Sequence, residues 1–129
     1  MKRSGSWVLG ILALAGCLSG GNVLAADPSV PAKPMREITL VSVDFEGTKV
    51  WVPGTLVAKK GDRVKLKLIN RIMTGPNTHG FAIDDFGVKV VVARETPQSV
   101  VFTADKAGLF PFHCHLHPPH IGGQILILE

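Results

Sequence analysis

Past residue 36 the chain never sustains an apolar period of 3.6 residues, the spacing an amphipathic helix needs to bury one face. Its apolar residues gather in segments of four to six positions, many of them alternating with polar residues, and glycines, prolines and acidic residues separate these segments at about ten-residue intervals. Short strands joined by tight turns are the only regular elements such spacing supports. The clearest run is Val64-Lys65-Leu66-Lys67-Leu68-Ile69, which follows the turn signal Lys60-Gly61-Asp62; its alternation describes a strand with one buried face. Further strands are expected at 38–43, 55–58, 80–83, 88–93, 99–103, 109–114 and 124–128. Seven or eight strands of this length define an all-β class, and an antiparallel β-sandwich of Greek-key type is the expected architecture. Residues 70–78 have no strand pattern and are read as a loop at one end of the sandwich, delivering His79 to the next strand.

The first 25 residues are read apart from the fold. Met1-Lys2-Arg3 is a basic start, 7–18 is an apolar run and Val23-Leu24-Ala25 offers small residues for cleavage, the layout of a secretory signal. An apolar run of about twelve residues is shorter than the roughly 20 a spanning helix requires. Two processing outcomes fit: cleavage after Ala25, or lipidation of Cys17 in Leu14-Ala15-Gly16-Cys17, which resembles a bacterial lipobox. The expected organisation is a signal at 1–25, a proline-rich linker at 26–36 and one domain at 37–129. The expected location is the periplasm, with membrane attachment only through a lipid on Cys17. Without residues 1–25 the chain keeps 12 basic and 10 acidic residues, a balance of +2. No basic cluster remains, which argues against a nucleic-acid partner.

The same removal leaves one cysteine, Cys114, so no intrachain disulfide can form, and an exported free thiol must be buried or occupied. It lies in Phe110-Pro111-Phe112-His113-Cys114-His115-Leu116-His117-Pro118-Pro119-His120. On a strand ending there, Phe110, Phe112 and Cys114 point one way and Pro111 and His113 the other. His117 and His120 follow at intervals of three residues on a loop stiffened by prolines, and His79 is the one histidine elsewhere in the chain. A thiolate with imidazoles suits copper or zinc, and a trigonal His₂Cys set with a variable axial group is typical of electron-transfer copper. A closed structural zinc site usually carries more cysteine. A nucleophilic Cys114 with a histidine base would leave the other imidazoles unexplained. His113, His115, Asp84 and Asp85 are read as surface or turn residues, Met73 as outside the site, and Phe81, Phe110 and Phe112 as core.

In order along the chain, Lys60-Gly61-Asp62, the alternating strand ending at Asn70, His79-Gly80-Phe81, Gly108-x-Phe110-x-Phe112-x-Cys114 and Cys114-x-x-His117-Pro118 resemble the framework of the cupredoxins. Gly80-Phe81-x-Ile83-Asp84-x-Phe86-Gly87-Val88, Phe102-Thr103-Ala104-Asp105-Lys106-Ala107-Gly108-x-Phe110 and Cys114-x-Leu116-His117-Pro118 are most similar to nitrosocyanin-like members. The likeness spans most of 38–129 and implies one copper ion, Cu(I)/Cu(II), held by His79, Cys114, His117 and His120. Two departures stand out. Nitrosocyanin-like proteins place a glutamate where His79 stands, and ordinary blue-copper members place a methionine near the position of His120, whose alignment to the nitrosocyanin loop needs a two-residue deletion. A third imidazole in place of a thioether implies a more tetragonal Cu(II), a lower potential and a colour shifted from pure blue. His113-Cys114-His115 also resembles the multicopper oxidase triplet, but no further His-x-His pair is present to complete a trinuclear cluster. A binuclear thiolate-bridged centre would need a second thiol in the domain.

The expected function is one-electron transfer to a redox partner protein, with His117 as the exit. Two alternatives stay open at this point. If His120 does not bind, the ion has a position for nitric oxide, superoxide or peroxide. The spare His113 and His115 would instead suit periplasmic copper carriage. The sequence leaves open whether the chain forms a homo-oligomer.

Overall fold

A computed structural model describes residues 35–129; the expected signal, Cys17 and the linker through Pro34 lie outside the described residues. Its strands are β1 (Met35–Phe45), β2 (Thr48–Val52), β3 (Thr55–Lys59), β4 (Arg63–Asn70), β5 (Thr78–Ile83), β6 (Val88–Ala93), β7 (Gln98–Thr103), β8 (Gly108–Phe112) and β9 (Gly123–Leu128). A single 3₁₀ turn, Asp84–Phe86, is the only helical element among the described residues. The alternation read in 64–69 is realised in β4, where Val64, Leu66 and Leu68 are buried and Arg63 and Lys67 face solvent.

Two features correct the expectation. There are nine strands, because β2 was not anticipated. It forms through a two-residue hairpin in which Glu46 and Gly47 both take positive φ, 50° and 83°, with Phe45 paired to Thr48 and the Gly47 N–H donating to Asp44 Oδ1 at 2.8 Å. Such a turn matches the twist of the flanking strands. The pairing is also mixed rather than antiparallel. One sheet has the order β2-β1-β4-β7, a second β3-β9-β8, and β5 pairs with β6. Between β1 and β4 the chain makes a hairpin and then visits the other sheet through β3, so β4 returns parallel to β1, and β9 likewise lies parallel to β3. The first strand takes in Met35 and Arg36, and the Arg36 side chain reaches the buried Asp62 at 3.1 Å.

Leu40, Val64, Leu66, Leu68 and Phe102 from one sheet meet Leu56, Ala58, Phe112, Ile125 and Ile127 from the other in one core. Burying such side chains contributes about 1.5–3 kcal/mol each. Phe81 lies between the sheets, 5.2 Å from the Phe112 ring. At the end where β8 runs out, β5 is held to the chain after β8 by a reciprocal pair of bonds between Ala82 and His113, 2.9 and 3.0 Å. The loop entering β5 is held as firmly. Asn70, fully buried, accepts from Ser42 Oγ and the Ile72 N–H and donates to the carbonyls of Asn77 and Val92, using every donor and both acceptor positions of its amide. Arg94 adds bonds to the carbonyls of Ile72 and Thr74. The 71–77 segment is thereby fixed, and His79 emerges at a defined place.

Candidate metal centre

β8 ends at Phe112, and the alternation carries two residues further: Phe112 and Cys114 are buried at 1% and 2% exposure, while His113 turns outward. From the opposite side β5 brings His79, which has no exposed surface. Residues 115–122 then fold back over the gap, with the His120 N–H bonding the His117 carbonyl at 3.0 Å. The loop is closed onto β2: the Ile121 N–H donates to the Lys49 carbonyl at 2.8 Å, and the Trp51 N–H donates to the Ile121 carbonyl at 3.2 Å. At Gly122 a Cβ would run into the Phe112 carbonyl and the His113 backbone, so only glycine lets the loop pass this close to β8.

All four residues singled out in the sequence meet here. Single donor atoms of His79, Cys114, His117 and His120 lie within 4.8 Å of one another. His79 Nδ1 and His120 Nδ1 are 3.1 Å apart, and Cys114 Sγ is 3.6 Å from His117 Nδ1. Two nitrogens each about 2.0 Å from one ion at a tetrahedral angle stand about 3.3 Å apart, so the spacing suits a single small cation. One soft sulfur and three imidazoles form a donor set suited to copper. Met73 takes no part; it is 70% exposed.

Electrostatics keep the donors ready. His79 is pushed down to about 4, chiefly by burial, then by the neighbouring His120 and His117 and by Lys49, with the Pro76 carbonyl opposing. His120 is lowered too, by burial first and then by His117 and Lys49. Both rings are therefore neutral near pH 7, with a lone pair free for a metal. Lys49 is itself held by Asp44 at 3.2 Å, whose carboxyl is kept below its ordinary value by bonds from Thr74 and Lys49.

The sulfur has a partner that sequence reasoning missed: the Gly80 N–H donates to Cys114 Sγ at 3.2 Å. Gly80 sits next to His79, and its place beside the sulfur is hidden in sequence because the two residues are 34 apart. His115 also departs from expectation. It is half buried, its Nδ1 is enclosed without a partner, and its ring lies over Gly80, where a Cβ would come 2.6 Å from Nδ1. The strand ends at Phe112, so facing rules no longer apply at 115, and the ring drops onto the one residue on β5 without a side chain. Burial, then Lys89 and His113, lower its affinity for a proton. His113 does face out, 3.9 Å from the exposed Asp84.

With fold and site in view, the chain belongs to the cupredoxin-like domain family, whose family model matches residues 12–127. It is a copper-binding domain of that family, and the His/Cys/His/His cluster is its candidate copper site. Among curated proteins it is 45% identical over 56 residues to nitrous-oxide reductase of Cupriavidus necator, a match covering 43% of this chain and 9% of that protein. A nitrous-oxide reductase of Pseudomonas fluorescens is 29% identical over 73 residues, covering 53% and 11%. The chain thus spans about a tenth of the length of these relatives. Among solved structures, a copper nitrite reductase from Nitrosomonas europaea superposes with a TM-score of 0.61 at 19% identity, covering 74% of this chain and 42% of that one. A copper binding protein in the apo form gives 0.56 at 22% identity, covering 72% and 87%. These two likenesses are of fold.

Proposed function

We propose that the chain is an exported, mononuclear copper protein that carries single electrons, with His79, Cys114, His117 and His120 as the ligands. The observation that carries the reading is the convergence of four donors, three of them from 114–120 and one from β5, on a space fit for one ion. Bound there, copper supplies a one-electron couple between Cu(I) and Cu(II). The remaining work falls to the chain. Neutral His79 and His120 offer lone pairs without first losing a proton. Phe81 and Phe112, fully or nearly fully buried, keep bulk water from the inner side of the cluster. The backbone bonds that Ile121 makes, donating to the Lys49 carbonyl and accepting from the Trp51 N–H, and those of Asn70 hold both ligand-bearing segments, so the donors need to move little when the charge changes. His117 is half buried beside the exposed Leu116 and Pro118 and is the path toward a redox partner protein. One thiol among the described residues supports a mononuclear rather than a thiolate-bridged binuclear site.

Within the family we place the chain with the nitrosocyanin-like members, on the motifs at 80–88 and 102–110, with His79 replacing their glutamate. A fourth donor on the ion favours transfer over turnover of a small ligand. The test is a copper-loaded domain examined by electron paramagnetic resonance and voltammetry. The expected result is a reversible one-electron wave and a spectrum unmoved by azide. An azide- or nitric-oxide-induced change would instead establish an open position and replace this reading.

A further inference from the structure

Every backbone polar group of a buried strand needs a partner, and Gly80 lies where β5 has β6 on one side only. Two residues on, Ala82 satisfies the free edge by bonding the His113 backbone. Gly80 has no strand opposite. Its N–H goes to Cys114 Sγ, and its carbonyl accepts the indole Nε1–H of Trp51 at 3.1 Å, both within the buried interior. Trp51 is itself 3% exposed and packs edge-on against Phe81 at 5.4 Å. Its second N–H, on the backbone, holds the Ile121 carbonyl. One residue of β2 therefore grips the segment just after His79 and the segment just after His120.

We infer that Trp51 is a positioning residue for the copper site: its two N–H groups set the spacing between the His79 arm and the His120 arm, and the indole keeps the Gly80 N–H aimed at the Cys114 sulfur. The inference deepens the proposed site and rests on that reading. A hydrogen bond to a thiolate withdraws electron density from the sulfur, so its direction and length bear on how strongly the sulfur donates to a metal. Losing the indole donor leaves the Gly80 carbonyl buried without a partner. The segment 79–81 then shifts to find one, and the sulfur loses its own bond.

Two variants isolate this bond. Trp51→Phe removes the indole N–H and leaves the backbone N–H in place. Replacement of Trp51 by benzothienylalanine, which has sulfur where the indole has N–H, removes the same donor at nearly unchanged ring size, and it decides the matter if the phenylalanine variant folds poorly. In the metal-free domain, the Gly80 amide should exchange with solvent about tenfold faster, the factor expected for one buried hydrogen bond, and Cys114 should alkylate faster with iodoacetamide. In the copper-loaded domain, the thiolate-to-copper absorption and the electron paramagnetic resonance spectrum should shift. An isostere variant with unchanged Gly80 exchange and an unchanged spectrum overturns the inference. If the domain takes up no copper at all, the proposed function fails, and the metal-free measurements still decide the role of Trp51.

Discussion

The two arms of the site are built on opposite plans. His79 comes from a strand, is wholly enclosed, and is prepared by a loop whose bonds all run to buried or half-buried partners. His117 and His120 come from a loop of a few residues, are half exposed, and are held by backbone bonds to β2 and by a glycine that fits under them. The strand arm fixes a position; the loop arm closes a lid of ligands over it and meets the solvent. The electron transfer proposed above would use both, one side rigid and dry and the other reachable.

The largest effect is expected at the point the arms share. Cys114→Ser removes the thiolate, so the intense visible absorption of the copper form should vanish and copper retention should weaken more than about 100-fold, beyond what losing an outer partner costs; a chelator competition measures it. On the loop arm, Gly122→Ala drives a Cβ into the backbone of Phe112 and His113. Denaturant unfolding should show a loss of about 3 kcal/mol, and a native-like stability would mean that the loop is not tied to β8. On the strand arm, the lowered His79 has a signed consequence. Its folded value of about 4 lies below the ordinary 6.5, so the unfolded chain binds the proton more readily. The metal-free domain should keep full stability above about pH 6.5 and lose it as pH falls toward about 4; His79→Ala should flatten that slope. The smallest effect on folding is expected at His120. His120→Ala should change stability by less than about 0.5 kcal/mol, yet it should alter the electron paramagnetic resonance spectrum of the copper form. An unaltered spectrum would remove His120 from the loop arm and leave three ligands.

The sequence made the strand arm and the thiol legible because both rest on local rules. Alternation in 64–69 located β4, the patternless 70–78 located the loop before His79, and facing along 110–114 placed Cys114 inward. What escaped depends on partners distant in the chain. β2 went unseen because its turn is Glu46-Gly47, which lacks the Asn-Gly or Asp-Gly signal of such hairpins. Parallel pairing of β1 with β4 follows from a crossing between sheets that no residue announces. The roles of Trp51 and Gly80 carry no local signal, since their bonds to Ile121 and Cys114 join residues many positions apart.

One feature of the topology governs when the site can come into being. β9, the last strand among the described residues, follows the ligand loop directly and docks parallel to β3, pairing Thr55 with Gln124, 69 residues apart. Contacts this remote in sequence are costly to close and form slowly. Until they do, the ligand loop lacks the strand that ties down its C-terminal end, and the cage around Cys114 is incomplete. A chain whose β9 has not yet docked would leave the Cys114 thiol open to oxidants, and metal captured at that stage would meet an unfinished cage.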